Sequence, residues 1–169
     1  MSLSSEHTPQ WLQDASPEEM YRVIETLYRV HGLVAVLTDM DILLERISEE
    51  SRRLTCAEAA SVMLYDEEKD ELWFRVVLGE SGDREALKRE VRLKRGQGIA
   101  GAAAREGKTI HVPDVTKDPR FFREADAASR FQTRTILATP MFDRGELVGV
   151  LELVNKGDGG VFTPLDQHV

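Results

Sequence analysis

Residues 95–122 read RGQGIAGAAAREGKTIHVPDVTKDPRFF. Gly96, Gly98 and Gly101 spell G-x-G-x-x-G, and the small-residue segment after them has helical character and stops at Glu106-Gly107. Alone, that pattern is a dinucleotide-binding loop. Its surroundings say otherwise. A nucleotide loop of that kind follows a buried parallel strand, which reads as a continuous apolar run. Here Val91-Arg92-Leu93-Lys94 alternates apolar and basic, as a half-exposed strand does. The next strand, residues 109–112, is short, and Asp114 comes early for a ribose-binding carboxylate. The glycines therefore read as a corner. Gly96 and Gly98 let the chain turn from strand to helix, and Gly101 to Ala104 let that helix lie close on a sheet.

Working outward, periods of two mark strands at residues 60–65, 72–78, 91–94, 109–112, 132–142 and 146–155. Most are neighbours joined by turns, such as Asp143-Arg144-Gly145. Helical patterns cover residues 41–54, 99–105 and 121–130, with one further turn at 84–88. The pattern predicts an α+β domain on a six-stranded antiparallel sheet flanked by helices, with a linker helix in front. In the helix over 41–54, Ile42, Leu43, Ile47 and Leu54 make the apolar side, and Glu45, Arg46, Glu49, Glu50, Arg52 and Arg53 the solvated one.

Residues 1–15 read as a disordered lead-in. Ser16, Pro17 and Glu19 start a helix as cap, first-turn proline and capping box. Met20, Val23, Leu27, Val30, Val34 and Leu37 then recur at heptad spacing. The helix over 17–37 either packs on its own domain or pairs with a second copy, giving a homodimer. Domain boundaries fall at 16–38 for this helix and 39–169 for the sheet domain. Thr163, Pro164 and Asp166 announce another helix just before Val169, the expected start of a terminal helix continuing toward an effector domain.

Lys and Arg number 22 and Asp and Glu 30, a net charge of −8, which argues against nucleic acid or an anionic membrane surface as partner. No run of 18 apolar residues exists to span a bilayer. The single cysteine, Cys56, excludes an internal disulfide, fits a cytoplasmic location, and reads as a packed thiol. The histidines, His7, His31, His111 and His168, lack metal-ligand spacing. No residue set names a cofactor or a catalytic group.

The order of these elements resembles the GAF domain family, PAS-like small-molecule sensors of signalling proteins. The resemblance is carried by Gly96 to Gly101, by Gly107-Lys108-Thr109-Ile110, by Val112-Pro113-Asp114-Val115 with Asp118-Pro119-Arg120-Phe121, and by residues 149–156. It implies a non-catalytic regulatory sensor of a bacterial-type signal-transduction protein, binding a small molecule and passing a signal through flanking helices. A ligand-free dimerisation scaffold is the alternative. Asn155, Lys156, Phe162 and Asp166 are similar to the N-K-F-D-E motif of phosphodiesterase GAF domains, with Gln167 in place of the final Glu. That keeps a cyclic nucleotide among the candidate ligands, although the motif also reads as a structural clasp, Lys156 pairing with Asp166 over Phe162. Enzymatic relatives that reduce methionine sulfoxide need several cysteines.

A ligand pocket is expected between the sheet and the helix over 121–130. Arg95, Asp114, Phe121, Phe122, Ser129 and Thr135 are its candidate lining. The rings offer stacking surface, Arg95 an anion partner, and the carboxylate and hydroxyls orientation. The same residues also suit plain structural roles, with Phe121 and Phe122 in the core, Asp114 capping its loop and Arg95 solvated.

Overall fold

The computed structural model describes residues 16–34, 40–79 and 82–168. Six strands form one antiparallel sheet in the order β3-β2-β1-β6-β5-β4. They are β1 (Ala57–Asp66), β2 (Glu71–Gly79), β3 (Arg92–Lys94), β4 (Ile110–Val112), β5 (Ile136–Asp143) and β6 (Glu146–Lys156). The helices are α1 (Pro17–Val34), α2 (Met40–Leu54), α3 (Arg84–Glu90), α4 (Gly98–Glu106) and α5 (Arg123–Ser129).

The sheet is covered on both faces. On one, α4 lies over Met63, Val150, Ile136 and Ala138. On the other, α2 covers Val62, Val76 and Leu151. The glycine corner behaves as its sequence requires. Gly96 and Gly98 have φ of +99° and +69°, in the region that favours glycine. At Gly101 a Cβ would sit 2.5 Å from the Lys94 carbonyl, so only glycine lets α4 close on the end of β3. The β5–β6 hairpin turns on Arg144 and Gly145, both at positive φ.

Three local expectations are corrected. The strand expected from 132 begins only at Ile136, because a side chain captures the preceding backbone: Asn155 Oδ1 accepts from Arg134 N and Thr135 N, and its Nδ2 donates to the Gln132 carbonyl. Buried positions on α2 are Leu44, Ser48, Glu50 and Ser51, while Ile42 is exposed. Ser48 donates its hydroxyl to the Leu44 carbonyl, so this small polar face meets the sheet without an unsatisfied group. Glu50 pairs with Arg53 instead of facing solvent alone. Cys56 is exposed rather than packed; it sits at the turn between α2 and β1 with φ +53°.

The α1 start is a reciprocal capping box, with Ser16 N donating to Glu19 Oε2 (2.8 Å) and Glu19 N to Ser16 Oγ (3.2 Å). α1 packs against α2. Met20 and Val23 are half-buried, and Tyr21 and Ile24 are exposed. The side chains of Leu27, Val30 and Val34, residue Leu37, and the lead-in 1–15 lie outside the described residues. After Thr163 the described chain makes a 3-10 turn, Asp166–His168.

Candidate functional site

On the α4 face, the sheet, α3 and α5 leave a cavity of about 90 Å³. Its walls are apolar and rich in rings: Phe74 from β2, Phe121 and Phe122 before α5, and Phe131 after it. Small residues on β1, Ala59 to Ser61, leave the space. α5 follows a proline-containing loop, residues 113–122, and starts at Arg123 with Phe122 in the N-cap position. Phe122 therefore stays outside the helix and turns into the cavity.

One ionisable group sits on the cavity floor. Glu152 lies on β6 between Val150 and Val154, with Ser61 and Ala138 as its cross-strand neighbours. The residue is half-buried, and its partial removal from water pushes its carboxyl up to about 7. Among the described residues no hydrogen bond or ion pair reaches it. The other charged side chains on the lining are Arg84, exposed on α3, and Asp126 on α5.

Asp126 is already engaged. Its carboxylate accepts from Thr133 N (2.9 Å) and Thr133 Oγ1 (2.5 Å), latching α5 to the segment before β5. That segment is in turn held by Asn155, which is 1% exposed and also donates to Glu58 Oε2. The next residue continues the chain of contacts. Lys156 N donates to Thr135 Oγ1, and Lys156 Nζ pairs with Asp166 Oδ2 at 2.7 Å. Thr163 N and Oγ1 donate to the same Asp166 oxygen. Phe162, 2% exposed, lies beneath, its ring 5.9 Å from Lys156 Nζ and edge-on to His111. The Nε2 of His111 is buried without a partner among the described residues, and burial lowers the affinity of the imidazole for a proton. The motif residues thus tie the cavity wall to the end of β6 and to the segment leaving it.

Of the six lining residues expected from sequence, Phe121, Phe122 and Ser129 face the cavity. Ser129 Oγ donates to the Ala125 carbonyl and accepts from Phe131 N, so its hydroxyl is occupied. Arg95 lies elsewhere, stacked over Tyr65 (5.7 Å to the ring centroid) and paired with Asp70 on the β1–β2 hairpin. Asp114 caps the 3-10 turn Val115–Lys117; hydrogen bonds from Thr116 and Lys117 hold its carboxyl down to about 2. Thr135 bonds the backbone of β6. Sequence reasoning missed Glu152. Its signal was a lone carboxylate inside the apolar run Val148 to Val154. Among the described residues no group of three His, Cys, Asp or Glu side chains is placed to hold a metal ion, and no helix is long and apolar enough to cross a membrane.

Comparison with known proteins agrees with this architecture. The GAF domain family model matches residues 39–169. A probable 3',5'-cyclic phosphodiesterase of Caenorhabditis elegans, pde-5, is 31% identical over 137 residues, covering 78% of this chain and 19% of that protein. Among solved structures, the GAF domain of a phosphoenolpyruvate-protein phosphotransferase from Coxiella burnetii superposes with a TM-score of 0.76 at 18% identity, over 89% of this chain and 86% of its own. The free methionine-R-sulfoxide reductase of Neisseria meningitidis, solved with its substrate, gives 0.72 at 23% identity, over 91% and 84%. This chain spans about a fifth of the phosphodiesterase, and the two structures share its fold.

Proposed function

The chain belongs to the GAF domain family, a small-molecule-binding regulatory fold, and we propose that it is the non-catalytic sensor domain of a signal-transduction protein, of the bacterial type that the helix at Pro17 suggests, acting in the cytoplasm. The observation that carries this reading is the cavity. It is walled by phenylalanines and floored by a carboxylate that no other group among the described residues engages. A core built only for stability would not leave an ionisable group facing open space. Such a site takes a flat, aromatic small molecule that offers N–H donors to Glu152. With 3',5'-cyclic phosphodiesterases among the relatives, cyclic purine nucleotides are the first class to test. The one thiol, Cys56, is exposed and outside the cavity lining, which supports a sensor over a thiol-based reductase.

At about 90 Å³ the cavity is smaller than the roughly 300–1,000 Å³ of ordinary ligand clefts, so a nucleotide enters only if the wall moves. The wall able to move is α5 with its Phe121–Phe122 corner and its Asp126–Thr133 latch. Its displacement acts on Asn155 and Lys156, and so on the clasp at Asp166. A ligand favouring the open wall thus biases the segment that leaves β6 by its differential affinity for the two states.

Thermal unfolding with cyclic GMP and cyclic AMP tests this. At about 100 times the Kd, binding adds about 2.7 kcal/mol and a rise in Tm of several degrees. Ala125→Trp, which fills the cavity, abolishes the rise. No shift with either nucleotide removes this ligand class, and a shift that survives Ala125→Trp places binding elsewhere.

A further inference from the structure

β2 outruns the strand beside it. β3 pairs only with Glu71, Leu72 and Trp73, whereas β1 follows the other edge of β2 as far as Gly79. Among the described residues no backbone hydrogen bond reaches the outer edge of residues 76–79. Such an edge holds N–H and C=O groups ready for another strand. α3 packs on one face of β2 and α2 on the other. An open groove of about 570 Å³ lies between them, floored by β2.

The walls of this groove differ in charge. α3 supplies Arg84 and Lys88, and β3 supplies Arg92 where it stops; α2 supplies Asp41 and Glu45. Asp41 is held by Arg75. Lys88 pairs with the exposed Glu85 at 3.5 Å, a contact worth little in water. Arg84 is exposed and has no ion pair among the described residues. The chain as a whole carries a charge of −8, so a cationic wall stands out on it.

We propose that the groove takes an extended acidic segment of a partner protein, paired as a strand on the β2 edge, with carboxylates at alternate positions facing α3. Arg84 and Lys88 are one turn apart on α3, about 6 Å along its axis. Alternate side chains of a strand are about 6.8 Å apart and share a face, so two carboxylates two residues apart meet both cations. The side chains between them point toward α2, over Val76 and Leu78, where apolar groups suit and Glu45 repels acids. The edge is guarded against a second sheet. Arg75 is the extra residue of a bulge that sets Phe74 opposite Met63 and Val76 opposite Val62, and a helix flanks each face. One strand fits between those helices. A second copy does not, because pairing β2 with β2 about a two-fold axis sets α3 against α3, cation against cation.

Fluorescence anisotropy of the 169-residue chain with a labelled, end-blocked peptide of four Glu-Val repeats tests this. The controls are a peptide of the same composition with its glutamates together, and four Lys-Val repeats. The alternating acidic peptide is expected to bind at least about tenfold more tightly than either, and more weakly as salt rises. Lys88→Glu is expected to lose about tenfold in affinity and Lys88→Arg to keep it, with circular dichroism checking both folds. Amide hydrogen exchange on the wild type reads the pairing itself, as protection of alternate amides in residues 76–79 when the peptide is bound. Equal binding of the block peptide, affinity unchanged in a folded Lys88→Glu, protection outside β2, or no binding at millimolar peptide overturns the proposal. Protection of the same amides that grows with protein concentration alone makes a second copy the occupant and overturns it too.

Discussion

Glu152 is costly to the fold. Unfolded, its carboxyl titrates near the ordinary 4.5; folded, it is held at about 7. The folded chain therefore binds the proton more tightly. Stability is fullest below about pH 4.5, falls as pH rises between the two values, and levels off above about pH 7. The loss is at most about 3.4 kcal/mol, from roughly 2.5 pH units at 1.36 kcal/mol each. Glu152→Gln should erase this slope and melt higher than the wild type at about pH 8, with little difference near pH 5. Parallel Tm profiles for the two proteins would show that burial does not act on this group. The residue was hard to single out from sequence for a physical reason. Both faces of the sheet are covered, so in Val150-Leu151-Glu152-Leu153-Val154 alternation does not tell which residues meet the cavity. Arg95, Asp114 and Thr135 were misleading in the opposite sense. They border the right elements in the chain, but each spends its polar atoms on a local turn or a neighbouring strand.

At the scale of elements, the glycine corner shows what the sequence does carry. A positive φ and a close backbone approach leave a residue-level mark, since only glycine serves there. Gly101→Ala would put a Cβ 2.5 Å from the Lys94 carbonyl and 3.0 Å from Gly96 N. Neither is the end of a flexible side chain, so α4 must lift from β3. A loss of about 3 kcal/mol or more is expected by urea denaturation. A loss below about 1 kcal/mol would mean that the corner yields and that the close approach is not required. The hairpins were equally legible, because turn chemistry and period two are local. The late start of β5 was not. Its cause, Asn155, lies some twenty residues further along, and no local propensity reports a side chain that takes the place of a strand partner. The buried face of α2 was obscured in a similar way, since Ser48 on it, and Thr55 just after it, donate their hydroxyls to carbonyls of the helix.

For the molecule as a whole, the open question on α1 is which side is meant for a partner. The heptad positions Met20 and Val23 are half-buried, while Tyr21 and Ile24 are 72% and 58% exposed. If α1 pairs with a second copy, these exposed residues belong to the interface. The wild type should then sediment as a dimer, and Ile24→Glu should give a monomer with an unchanged circular dichroism spectrum. A wild-type monomer at every concentration ends the proposal, and a dimer that survives Ile24→Glu moves the interface elsewhere.

The clasp at Asp166 ties the end of β6 to the segment that leaves it, and the cavity wall reaches it through Asn155 and Thr135. A fluorescent reporter joined beyond that clasp would turn movement of the cavity wall into an optical signal.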